Sequence, residues 1–230
     1  MTRAPDVATS VTRLAAALRP VAWPSYLVGL ACLVWLGACS ATYPTVRLTE
    51  DWPTTVRDYD DVVDDWTRKA QLRAEYQEIC ELVATLKSPE WRAAQAAHDA
   101  EIRGLAGEAL AQRTAQSRAE VAGPYEIEVM VTTWDRREND LDRGKKSVWR
   151  IVLIDDAGSE IAPLEIVKDR RPAYVVRAEF PGFGEFATPY VARFPRTASI
   201  FGPAARQVRL RMSSTRGGLE VLWKAPAASN

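Results

Sequence analysis

Gly123-Pro124-Tyr125-Glu126-Ile127-Glu128-Val129-Met130-Val131-Thr132-Thr133-Trp134 is the stretch at which the chain changes its period. Before it, apolar residues recur every three or four positions. From Tyr125 they alternate, with Ile127, Val129 and Val131 set against Glu126, Glu128 and Met130. A period near 3.6 belongs to a helix and a period of 2 to a strand with one buried face. Gly123-Pro124 punctuates the change, because proline cannot continue a helix. The chain therefore reads as α+β, helical first and β afterwards.

Downstream, the same alternation returns in short runs. Ser147 to Asp155, Glu160 to Lys168, Ala173 to Phe180, Thr188 to Phe194, Gln207 to Ser213 and Leu219 to Lys224 are expected strands. Turn residues separate them: Asp155-Asp156-Ala157-Gly158, Asp169-Arg170-Arg171-Pro172, Pro181-Gly182-Phe183-Gly184, Pro195, Gly202-Pro203 and Arg216-Gly217-Gly218. Short strands with turns at near-regular spacing predict an all-β immunoglobulin-like sandwich over residues 124–225, able to fold alone, with a small barrel as the other option. Residues 226–230 are expected to form a flexible tail.

Upstream, Thr54 to Ser88 contains no Gly or Pro. Thr55 with Asp58 resembles a capping box, and Tyr59, Val63, Trp66 and Ala70, then Leu72, Tyr76, Ile79, Val83 and Leu86, keep helical spacing. Ser88 suits an N-cap and Pro89 the first helical position, so a second, Ala-rich helix is expected to run to about Val121. Its stripe of Trp91, Ala94, His98, Ile102, Leu105, Ala109 and Gln112 is heptad-like. The two helices predict an N-terminal antiparallel α-helical hairpin, coiled-coil-like, over residues 54–122. Ile102 and Leu105 would then face Tyr76, Ile79 or Val83, and Arg113 would lie on the polar face.

Composition narrows function without assigning it. The chain is 47% hydrophobic and 26% charged, with Lys plus Arg equal to Asp plus Glu at 30 each, so no charge excess points to nucleic acid. One His and three Cys leave little for a metal centre, and no metal or cofactor is expected.

The first forty residues carry an address. Arg3, Arg13 and Arg19 precede an uncharged apolar run from Val21 that ends in Leu36-Gly37-Ala38-Cys39. This layout is that of a secretory signal. With Leu, Gly and Ala before Cys39, it resembles the lipobox of bacterial lipoproteins at all four positions. The resemblance covers residues 1–39 and implies a signal peptide over 1–38, removed by cleavage before Cys39. It also implies a diacylglyceryl group on the Cys39 thiol and an acylated new amine (palmitate-type chains). A stable anchor needs more than one chain. Residues 39–53 would be the lipid-anchored tether. Ser40, rather than Asp, resembles the pattern sorted to the outer membrane, so the implied location is its inner leaflet, facing the periplasm. The other reading is an uncleaved single-pass helix. Val21 to Ala38 falls just short of the roughly 20 residues that span a bilayer, and Pro24 interrupts its start.

Candidate chemistry is sparse. His98 sits on the packing stripe and reads as structural, since no nucleophile context accompanies it. Asp58, Asp60, Asp61, Asp64 and Asp65 read as a solvated helix start. Asp140-x-Asp142-x-Gly144 lacks the bidentate Glu of a calcium loop and reads as a mobile charged loop. Cys80 reads as an inert buried thiol. Phe180, Phe183 and Phe186 on a Gly-rich turn are a possible interaction loop, or a plug for the core. No catalytic residue is expected. These features favour a non-enzymatic, lipid-anchored cell-envelope lipoprotein that binds or assembles with an envelope protein or a surface polymer. The alternative is a periplasmic hydrolase with paired carboxylates.

Overall fold

A computed structural model describes residues 43–74 and 76–227. The expected signal peptide, with Leu36, Gly37, Ala38 and Cys39, and the last residues of the expected tail lie outside the described residues. The fold is α+β, with helices and antiparallel sheets.

The first long helix is not formed. Asp58 caps a short helix, α1 (Tyr59–Trp66), its Oδ1 accepting from the Asp60 amide at 3.0 Å. At Thr67 the backbone turns extended, and β1 (Thr67–Ala74) and β2 (Gln77–Leu86) pair as a hairpin from Thr67↔Thr85 to Ala74↔Gln77. The misleading signal is physical. Leu82, Val83, Ala84, Thr85 and Leu86 are all buried, because β2 is covered on both faces and so lacks a period of 2. The turn at Tyr76 also lacks the Gly that usually advertises one.

A helical hairpin does exist, one element later. Ser88 Oγ accepts from the Trp91 amide at 3.1 Å, and α2 runs over Pro89–Arg103. It stops where Gly104 takes the left-handed conformation (φ 63°), and α3 follows over Gly107–Glu120. Arg113 on α3 joins the pair, its Nε donating to Asp99 at 2.8 Å and its Nη2 to Gln95 at 2.6 Å. Arg113 is therefore a contact residue, whereas Ile102 is 71% exposed, Tyr76 is fully exposed, and Ile79 and Val83 lie on β2, so the expected helix against which Ile102 and Leu105 would face Tyr76, Ile79 or Val83 does not exist.

Beyond Gly123 come β3 (Tyr125–Thr133), β4 (Arg150–Ile154), β5 (Glu160–Ile161), β6 (Glu165–Lys168), helix α4 (Ala173–Glu179), β7 (Thr188–Phe194), β8 (Gln207–Ser214) and β9 (Gly217–Lys224). One sheet has the order β1-β2-β3-β7-β6, the other β5-β4-β8-β9. The expected strand over 160–168 is split by Pro163 into β5 and β6, one in each sheet, since proline cannot donate to a ladder. The expected strand over 173–180 is α4, started at Pro172, with only Val176 buried. The boundary at Gly123 divides no domain. β2 and β3 pair over Cys80↔Thr133 to Leu86↔Ile127, so residues 124–225 lack two strands of their own sheet.

The two sheets meet where β1 approaches β9, and a fully buried arginine occupies that seam. Arg68 Nε donates to Leu222 O at 2.9 Å, Nη1 to Asp65 O at 2.8 Å and Thr67 O at 2.9 Å, and Nη2 to Pro44 O at 2.8 Å. Trp223 Nε1 donates to Trp66 O at 2.8 Å beside it. The Tyr43 ring lies 4.8 Å from the guanidinium, and Val46 N donates to Lys224 O at 2.9 Å. The chain from Tyr43 onward is therefore part of the fold rather than tether, with Val46 and Leu48 buried. Burial lowers the Arg68 pKa to about 10, still high enough to leave it charged at neutral pH.

Arg68→Met should strand carbonyls that have no water to turn to, at a cost of about 3 kcal/mol or more. Urea unfolding measures it, and an unchanged midpoint would mean that the seam does not depend on Arg68. Arg113→Ala should cost about 1–2 kcal/mol by loosening α3 from α2, read as faster amide exchange confined to the two helices.

Candidate functional site

Exposed large apolar side chains are scattered over the molecule, Tyr174 on α4 and Ile102 on α2 among them, and two aromatics, Trp134 and Phe186, share one concavity at an end of the five-stranded sheet. β3 ends at Thr133, whose hydroxyl donates to Asp135 O at 2.8 Å, while Asp135 Oδ1 accepts from the Arg137 amide at 2.9 Å. This local turn throws Trp134 outward, 71% exposed, although its amide still holds Ile79 O at 3.1 Å.

Facing it is the loop between α4 and β7, which carries the three candidate phenylalanines. The structure separates them. Phe180 is buried and stacks on Trp91, with centroids 5.7 Å apart and planes at 4°. Phe183 is buried, with the Arg177 guanidinium 5.6 Å from its ring centre. Between them, a Cβ at Gly182 would come within 3.2 Å of Val83 Cγ1, so the loop sits close on β2. Phe186 alone is presented, 66% exposed, with the Arg136 guanidinium 5.9 Å from its centroid. Two rings hold the loop down and the third is displayed.

Between Trp134 and Phe186 lies a groove of about 700 Å³, within the range of small-molecule sites. Thr132, Thr133 and Thr188 line it, together with Glu78, Arg136, Lys168 and Glu185. Asn139 stiffens one wall, donating to Val131 O at 2.7 Å and accepting from the Tyr190 hydroxyl at 2.8 Å. Burial raises the Tyr190 phenol above its ordinary value, which keeps that donor in place. Cys80 also borders the groove, but it is buried, and burial pushes its thiol up to about 12. A thiol so protonated is a poor nucleophile. A second cavity, of about 820 Å³, lies along β4 between Val148, Trp149, Pro163 and Ile166. Its Trp149 ring is buried and tied to Glu138 O at 2.8 Å, so it offers no displayed aromatic.

The remaining candidates have structural partners. His98 stacks on Tyr59, centroids 4.4 Å apart, and the Tyr59 hydroxyl donates to Glu179 O at 2.7 Å. Asp140 is buried in its own loop, where it accepts from Ser147 Oγ at 2.8 Å and Val148 N at 3.2 Å. Asp65 binds Arg57 at 2.7 Å, and Asp58 serves as the cap. Among the described residues, no three His, Cys, Asp or Glu side chains are grouped to hold a metal ion, and no helix is long and apolar enough to cross a membrane.

The chain matches no family model, no curated protein and no solved structure.

Sequence reasoning missed two residues. Trp134 ends an alternating run and begins a charged loop, which was the available signal for a displayed aromatic. Alternation sets Glu128 on the face opposite Ile127, Val129 and Val131, yet it is fully buried beneath the elements that cover that face. Lys87 Nζ lies 2.9 Å from its Oε2 and 5.7 Å from the ring centres of both Trp91 and Phe180. Neither carboxylate oxygen accepts a well-directed hydrogen bond.

Burial raises the Glu128 pKa, against the pull of Lys87. A carboxyl that holds its proton more tightly when folded contributes stability below the ordinary carboxylate range. That contribution is lost as pH rises through the raised folded value. Glu128→Gln does not titrate, so it should gain stability relative to the parent between about pH 4 and pH 7. Denaturant unfolding across that range checks this, and a constant difference between the two proteins would refute it.

Proposed function

We propose that the chain is a lipid-anchored cell-envelope protein whose folded part is a non-enzymatic binding module, with the groove between Trp134 and Phe186 as its contact surface. The acyl groups on Cys39 would hold it to the membrane, on the inner leaflet of the outer membrane facing the periplasm. The partner is an envelope protein or a surface polymer. The single observation that carries the binding half is the display of two large exposed aromatic rings in the lining of one concavity. One of them rides on a loop whose other two rings are buried. Single exposed apolar residues are ordinary on a protein surface, but rings grouped around a groove mark interaction sites. Support for the anchor comes from the lipobox, Leu36-Gly37-Ala38-Cys39, at the end of the apolar run.

We further read the two sheets as the layers of a sandwich. Ile127, Val129, Val131 and Tyr190 from one sheet and Leu153, Leu210 and Val221 from the other belong to a single buried cluster, which supports that reading. Such a sandwich would be larger than the immunoglobulin-like unit expected over 124–225, since it recruits β1 and β2.

The anchor is tested by metabolic acyl labelling and fractionation. The parent should carry label and sediment with membranes, and Cys39→Ser should lose both. Label retained on Cys39→Ser would overturn the anchor. The groove is tested by chemical cross-linking of the full chain to isolated envelope material, which Trp134→Ala and Phe186→Ala should each reduce about tenfold, the scale of a lost interface anchor. Unchanged cross-linking in both would overturn the groove.

A further inference from the structure

The composition of the groove points to the chemistry of what it holds, and this step rests on the reading of the groove as a binding surface. A third exposed ring, Tyr76, lies at the β1–β2 turn, so the aromatics emerge from the ends of neighbouring strands at one edge of the molecule. The charges around the groove are balanced, Glu78 and Glu185 against Arg136 and Lys168. A polyanion such as nucleic acid would meet two carboxylates there, and a polycation would meet two cations, so neither gains a net attraction.

An extended peptide is disfavoured for a different reason. Peptides commonly bind sheets by adding a strand to a free edge. Here β2, β3 and β7 are interior strands, each paired on both sides, and of the strands that border the groove it is β6, at its last residue Lys168, that carries the free edge. Across those three strands recognition comes from side chains.

What those side chains offer is ring faces, hydroxyls and paired donors and acceptors. Thr188, on the sheet face of Val131, brings a hydroxyl that both donates and accepts; Arg136 and Lys168 only donate, and Glu78 and Glu185 only accept. A pyranose ring complements that set. Its C–H face is weakly positive and suits the negative face of an aromatic ring, while its rim of hydroxyls needs donors and acceptors together. We propose that the groove between Trp134 and Phe186 binds an uncharged glycan chain, with sugar rings stacked on the two aromatic faces and hydroxyls bonded to the charged rim.

The test uses the full-length protein in detergent, titrated calorimetrically with two soluble probes, the β-1,4-linked tetramers of N-acetylglucosamine and of glucose. The expected result is saturable binding of at least one tetramer, weakened tenfold or more by Trp134→Ala and by Phe186→Ala with no change in melting temperature. Raising salt should change the affinity less than twofold, because no net charge is neutralised. Sugar binding that survives both substitutions would overturn the assignment to this groove. Failure of both tetramers to bind, while cross-linking to envelope material still depends on Trp134, would overturn the glycan and leave the binding module intact, with a protein partner in its place. Cross-linking that is indifferent to Trp134 and Phe186 would remove the groove itself, and the glycan with it.

Discussion

Arg68 is the residue through which the two sheets, α1 and the N-terminal segment are tied together. A buried guanidinium without a carboxylate partner is costly unless its donors are met, and here backbone carbonyls from Pro44, Asp65, Thr67 and Leu222 meet them. Those oxygens lie at a junction where neither helix nor ladder satisfies them. Asp65 and Thr67 flank the end of α1, Leu222 belongs to β9, and Pro44 precedes the fold's first buried residues. One flat side chain with five fixed donors suits such a junction better than a lysine would. Trp223 repeats the logic beside it, its indole N–H closing the Trp66 carbonyl.

With the seam closed on that side, the outer face of the five-stranded sheet is left to be covered by other elements. Trp91 from α2 and Phe180 from the loop after α4 stack over it and bury Lys87 and Glu128. The helix pair is fastened to the sheet by charge: Arg92 contacts Glu120 on α3 and reaches Glu126 on β3 at 2.7 Å. Arg193 on β7 holds the other oxygen of Glu126 at 2.6 Å. β3 is consequently buried on both faces, which explains why its alternating sequence coexists with a near-continuous burial pattern.

The groove follows from the same arrangement. The loop after α4 is pinned at Phe180, Gly182 and Phe183, so its remaining ring falls at the start of β7, across the strand ends from Trp134. Had the loop been free, Phe186 would have gained by collapsing inward, since burying a ring of that size is favourable. Its display is a consequence of how its neighbours are held, and this is why it supports a binding role better than any isolated exposed residue would.

The sequence by itself determined what depends on neighbours a few residues away. The strands Tyr125–Thr133 and Thr188–Phe194, the turn at Asp155 to Gly158, and the Ser88-Pro89 start of α2 were legible from alternation, turn chemistry and capping. Tertiary structure decided the rest. Residues 77–86 are a strand because both faces find cover, and a doubly buried strand carries no period to read. Phe180, Phe183 and Phe186 are one motif in sequence and two kinds of residue in space, because only packing distinguishes a plug from a displayed ring. Arg68 and Glu128 are fully buried charges, and which surface closes over a charge is settled by elements far away in the chain. The groove has no local signature at all. It exists where strand ends brought together by the sheet order leave a gap, and sheet order is set by long-range pairing rather than by the residues that line it.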